Sequence, residues 1–113
     1  MIGGVPVFVP KAQKPLVLRQ IKGPGSPRDI TLDLPEIVIG RALEANVSVD
    51  SPLVSRRHAM VRRGDSGYTV DDLESGNGIF VNGERVQAAP LRPSDTLQIG
   101  DALFVLQPLK AEP

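Results

Sequence analysis

The sequence predicts an all-β protein, a β-sandwich of about ten to eleven short, mostly antiparallel strands. Three observations carry that expectation. Apolar residues recur in short runs of period two, with no stretch of sustained helical spacing. Clusters of Gly, Pro, Asn and Asp break those runs at regular intervals. Two of the breaks, Asn82-Gly83 and Gly100-Asp101, are dipeptides suited to closing a tight hairpin.

The first run is Leu16 to Ile21, closed by Gly23-Pro24-Gly25-Ser26-Pro27, which neither a strand nor a helix crosses. Ile30 to Leu34 alternates cleanly and Pro35 ends it. Glu36 to Gly40 is a third run and delivers Arg41 to its end. Val47 to Val49 is a short fourth. His58 to Arg63 and Tyr68 to Asp72 flank the turn Gly64-Asp65-Ser66-Gly67 and read as a hairpin. Ile79 to Val81 and Glu84 to Val86 flank Asn82-Gly83. Thr96 to Ile99 and Ala102 to Gln107 flank Gly100-Asp101. Residues 1–15, with Pro6, Pro10 and Pro15, read as an irregular arm. Residues 16–108 form the domain, and 109–113 a tail.

At 113 residues the chain fits one domain with one core. With no cysteine there is neither a disulfide framework nor a thiolate metal site, and a single histidine excludes a poly-histidine centre. No metal and no cofactor are expected. Thirteen basic residues balance thirteen acidic ones, so no broad field attracts nucleic acid, and four aromatics (Phe8, Tyr68, Phe80, Phe104) make a poor stacking platform. No apolar run approaches the ~20 residues of a membrane span, and the apolar start lacks a basic segment before it. The expectation is a cytoplasmic protein without a membrane partner. Locally the balance differs. Arg41, Arg56, Arg57, Arg62 and Arg63 cluster between positions 40 and 63, opposed there only by Glu44 and Asp50. A small basic patch on a neutral chain suits a local anionic ligand, although Arg62 and Arg63 read equally well as solvated strand residues.

Three short segments carry the chemistry. In Gly40-Arg41, the arginine at a strand end can fork two N–H bonds onto a phosphate, which lysine cannot. The alternative is a surface arginine paired with Glu44. Ser55-Arg56-Arg57-His58 offers a short hydroxyl donor with little side-chain entropy to lose, and a second charge beside it. Asp72 to Gly78 is a turn by composition, in which Asn77-Gly78 tolerates positive φ and the asparagine both donates and accepts. A serine-histidine-aspartate relay through Ser55, His58 and Asp71 or Asp72 is disfavoured. Serine and histidine stand three residues apart at a loop-to-strand junction, without a nucleophile-elbow motif.

The order and spacing of these segments resemble the forkhead-associated (FHA) domain, a reader of phosphothreonine peptides, over roughly residues 16 to 108. The resemblance implies that Arg41, Ser55 and Arg56 contact the phosphate, that Gly76 offers a backbone N–H, and that Asn77 holds the ligand main chain. It implies structural roles for Gly40, His58, Gly78, Asn82 and Gly83, with His58 buttressing the binding loop. Many members carry threonine at the positions of Gly76 and Ile79. At Gly76 one neutral donor is lost, ~1 kcal/mol, against ~1.5–3 kcal/mol for each charge-assisted bond retained at an arginine. In this family the residue three after the phosphothreonine gives much of the selectivity, and Leu53 and Val54 are the candidates for reading it. The implied function is a non-catalytic phosphopeptide-binding module in signalling, with a Ser/Thr kinase supplying the ligand. The alternative is a phosphate-independent interaction or assembly module on the same fold. Thr31, Thr69 and Thr96 all fall in or beside predicted strands, so the phosphothreonine is expected in trans, from another protein or from chain beyond these residues.

Overall fold

The computed structural model describes residues 16–108. The arm expected at 1–15 and the tail expected at 109–113 lie outside the described residues. Eleven strands form two sheets: β1 (Leu16–Lys22), β2 (Arg28–Thr31), β3 (Glu36–Gly40), β4 (Val47–Ser48), β5 (Ala59–Gly64), β6 (Gly67–Asp72), β7 (Ile79–Val81), β8 (Glu84–Val86), β9 (Ala88–Leu91), β10 (Thr96–Ile99) and β11 (Ala102–Pro108). One sheet runs β2-β1-β11-β10-β7-β8 and the other β4-β3-β5-β6-β9. Every pairing is antiparallel except β3 with β4.

Alternation sorts each strand between core and solvent. In β3, Ile37 and Ile39 are buried; in β7, Ile79 and Val81; in β11, Ala102, Phe104 and Leu106. These side chains meet Leu18, Val61, Val70, Leu97 and Ile99 in one core between the sheets. The two short turns fix the register. Asn82 and Gly83, both with positive φ, set Phe80 opposite Arg85, and the Gly100 turn sets Ile99 opposite Ala102.

Two elements differ from expectation by more than one residue at an end. Strand β2 spans Arg28–Thr31 rather than 30–34, because residues 32–35 carry the chain from one sheet to the other and leave the ladder. Its early start is marked by a bidentate ion pair from Arg19 to the facing Asp29, at 2.9 and 3.1 Å. Strand β9 lies where no strand was read, since Pro90 breaks its pattern. It is one of the sheet's two edge strands, paired only with β6, and an edge tolerates a residue without an N–H.

Candidate functional site

Three connections meet at one end of the sandwich: Arg41 to Asn46, Val49 to His58, and Leu73 to Gly78. The first two are laced together beyond the regular β3–β5 pairing. Arg41 N donates to Ser55 O at 2.9 Å, Ala42 N to Arg56 O at 3.1 Å, and His58 N to Ile39 O at 2.9 Å. This close approach explains Gly40. A Cβ there would overlap the carbonyl oxygen of Arg56 and lie 3.0 Å from the Cα of Arg57.

The side chains expected to meet an anion occupy this end. Arg41 is exposed, and its Nε donates to Val54 O at 3.0 Å. That bond fixes the guanidinium's direction while both terminal nitrogens stay without a partner among the described residues. Glu44 does not pair with it. Glu44 instead makes a loose, exposed ion pair with Arg56 at 3.8 Å, a contact of small energetic weight. Arg56 is therefore turned to the acid and is not hydrogen-bonded to Ser55 or Arg41 through its side chain. Ser55 Oγ accepts from Gly76 N at 3.1 Å, which leaves its own hydrogen available for donation outward. Asn77 Nδ2 donates to Leu53 O at 2.8 Å, leaving Oδ1 without a partner among the described residues.

His58 is fully buried behind them. Its Nδ1 accepts from Ser55 N at 3.0 Å, so the other nitrogen carries the hydrogen and donates to Gly78 O at 2.8 Å. One ring thus ties the second connection to the third. Neither nitrogen is directed at the Ser55 hydroxyl. Both nearby acids are also occupied: Asp72 Oδ1 accepts from Ser75 N at 3.0 Å, and Asp71 pairs with Arg62. The turn closes on itself through Gly78 N to Ser75 Oγ at 2.9 Å. Gly78 has φ of 81°, and Glu74 at φ of 60° starts the reversal. Asn82 accepts from Thr96 N and donates to Asp95, each at 3.0 Å, which makes it a hairpin builder whose side chain bonds to none of the three connections.

One selectivity candidate is corrected. Val54 is 1% exposed, its side chain spent on the core beneath the loop, so it has no surface with which to read a ligand. Leu53 remains on the surface at 48% exposure, and Leu43, which the sequence reading passed over, stands out at 89%. Gly100 also supports the site unexpectedly. Its turn packs on residues 53 and 54, and a Cβ there would come within 2.8 Å of Val54 Cγ2. That contact joins positions far apart in the chain, and no local pattern announces it. Of the two doubtful arginines, Arg62 pairs across the sheet with Asp71, which by hydrogen bond and then by charge holds its pKa above the usual value. The guanidinium is charged throughout the neutral range in folded and unfolded chain alike, so its titration imposes no pH dependence near neutrality. Arg63 is exposed.

Among the described residues, no three of His, Cys, Asp or Glu lie where they could hold a metal ion, and no helix is long and apolar enough to cross a membrane. A cavity of about 1060 Å³ opens at the opposite end beside the β5–β6 turn and shares no residue with this site. A smaller one of about 490 Å³ adjoins it, walled by Ala42, Glu44, Arg56 and Arg57.

Comparison with known proteins gives a consistent result. The family model described as FHA domain matches residues 37–100. The oxoglutarate dehydrogenase inhibitor of Corynebacterium diphtheriae is 39% identical over 79 residues, covering 70% of this chain and 55% of that protein. The glycogen accumulation regulator GarA of Mycolicibacterium smegmatis is 38% identical over 79 residues, covering 70% and 50%. The chain thus spans about half the length of the curated relatives it matches. Among solved structures, Mycobacterium tuberculosis EmbR in complex with a low-affinity phosphopeptide superposes with a TM-score of 0.81 at 31% identity, over 89% of this chain and 26% of that one. A structure from work on phosphothreonine-dependent FHA domain interactions gives 0.75 at 28% identity, over 88% and 98%. With the sandwich, the three laced connections and a family match over more than half its length, this chain belongs to the FHA-domain family.

Proposed function

We propose that this domain binds phosphothreonine-containing peptides and mediates phosphorylation-dependent protein–protein interaction in signalling, without catalysis of its own. The observation that carries the reading is the state of Arg41. A guanidinium oriented by one backbone bond, with its remaining donors unspent, stands on the same connection pair as the outward-facing hydroxyl of Ser55. A phosphate brings nearly two charges and three acceptor oxygens to one point, which matches a fork and a hydroxyl. Asn77 Oδ1 is suited to accept a main-chain N–H of the ligand and so set its register. Arg56 joins only by leaving Glu44, at little cost for so exposed a pair.

The site is suited to holding a group rather than transforming it. His58 spends both nitrogens on backbone, and a hydroxyl lacking a base has no route to nucleophilic attack. The phosphothreonine comes in trans, from another protein or from chain beyond these 113 residues, and a Ser/Thr kinase supplies the mark. A phosphate-independent interaction module gains some support from Gly76 standing where a threonine hydroxyl is common. Calorimetry with one peptide, carrying threonine or phosphothreonine, separates the two readings. Arg41→Ala should weaken phosphopeptide binding more than about tenfold while the melting curve stays near that of the parent. Unchanged affinity in a folded Arg41→Ala protein removes the assignment.

A further inference from the structure

Arg85 belongs to β8, outside the three connections, yet it reaches the site. The Asn82-Gly83 turn sets Arg85 opposite Phe80. Paired residues of a sheet emerge on the same face, here the outer one, since Ile79 and Val81 point to the core. From there the side chain extends past Phe80 to lie against Gly78. A Cβ built on Gly78 would sit 2.5 Å from Arg85 Nε, 2.8 Å from Cζ and 2.9 Å from Nη2. The guanidinium therefore fills the space that a side chain at position 78 would occupy, and Gly78 is buried although its neighbours Gly76 and Asn77 are exposed.

Nothing in the turn engages that charge. Gly78 N donates to Ser75 Oγ, and Gly78 O accepts from His58. Among the described residues the Arg85 side chain has neither a hydrogen-bond partner nor an ion pair, a state it shares with Arg57, Arg63 and Arg92; of these four it is the one that lies against the turn carrying Asn77. An unspent fork thus lies against the residue after Asn77, beside the position where the proposed ligand's main chain would be held.

We propose that Arg85 is a specificity-determining residue that selects a carboxylate side chain, Asp or Glu, close to the phosphothreonine. Resting on the phosphothreonine reading above, it extends the contact beyond the loops to a strand residue. An extended ligand advances ~3.3 Å per residue, which puts the acidic position within about three residues of the phosphothreonine. Planar guanidinium and carboxylate suit a two-bond contact. Neutral Asn at the same position keeps the shape and loses the charge.

The test uses fluorescein-labelled, alanine-flanked phosphothreonine peptides with Asp or Asn placed at each flanking position in turn, and the unphosphorylated peptides as controls. The full chain should favour Asp over Asn at one position by about fivefold at low salt, and the ratio should fall toward one at high salt. Arg85→Gln should bring the ratio close to one at every salt concentration. Arg85→Glu should invert it, favouring Asn over Asp. Arg85→Lys, which keeps a charge over Gly78 but lacks the fork, should retain part of the preference and guards against a neutral variant that fails to fold. Phosphate-dependent binding that is indifferent to flanking charge, or an acidic preference that survives Arg85→Gln, overturns the role of Arg85 and leaves the phosphothreonine reading standing. A folded chain that binds no phosphorylated peptide better than its control overturns both.

Discussion

His58 shows how one side chain can tie two connections together from beneath. Its ring joins Ser55 N to Gly78 O across two connections, and it is fully buried. Replacing it by alanine strands a buried donor and a buried acceptor, so His58→Ala should cost about 1–3 kcal/mol of stability. A melting curve should shift down by several degrees, and phosphopeptide affinity should fall with it. A stable His58→Ala domain with undiminished binding would remove the buttress from the account. Gly40→Ala tests the same architecture from the other side, because the added methyl must push against the backbone of Arg56. Such overpacking costs about 1–3 kcal/mol, and it should weaken binding by displacing Ser55 relative to Arg41. Full affinity at unchanged melting temperature would show that the connection moves freely. At this scale the sequence was legible in which residues the fold gathers: Arg41, Ser55, His58 and Asn77, marked by type and spacing, all lie at one end of the sandwich. It was opaque where a role depends on what lies opposite, as for Val54, whose apolar side chain suits a ligand surface or a core equally until the turn at Gly100 is packed on it.

Among the elements, the β7–β8 hairpin links two ends of the argument, since it closes on Asn82-Gly83 and sets Arg85 beside Gly78. Asn82 has φ of 52° and bonds both Thr96 N and Asp95. Asn82→Ala loses those bonds and puts a Cβ residue less tolerant of that conformation into the turn. Destabilisation of about 1–2 kcal/mol is expected, read by urea unfolding, while phosphate recognition at the loop end persists in the folded fraction. Collapse of phosphate recognition at constant stability would place Asn82 in the site itself. Strands with clean alternation and a turn dipeptide at the end were legible to the residue: β3, β7, β8 and β10 fall where period and breakers put them. The misplaced elements have a common cause. Strand β2 is bounded by the chain's need to change sheets, and β9 is held by its partner β6 in spite of Pro90. Pairing across the fold outweighs local pattern in both cases.

For the domain as a whole, the placement of its three threonines bears on where a phosphorylated ligand could come from. Thr31, Thr69 and Thr96 lie in β2, β6 and β10, hydrogen-bonded into the two sheets. None can swing to the loop end without dismantling its strand. Treatment of these 113 residues with a threonine kinase should therefore leave peptide affinity and the amide spectrum unchanged. A phosphate-dependent closed form of the chain alone would contradict this. The sheet margins constrain encounters in a further way. Among the described residues the four edge strands are β2 and β9 with four residues each, β8 with three and β4 with two, and β9 is interrupted by Pro90. Margins so brief give little backbone to which a foreign strand could zip. Copies crowded along a heavily modified scaffold should consequently stay separate beads, each released when its own mark is erased, instead of fusing edge to edge into a deposit that outlasts the signal.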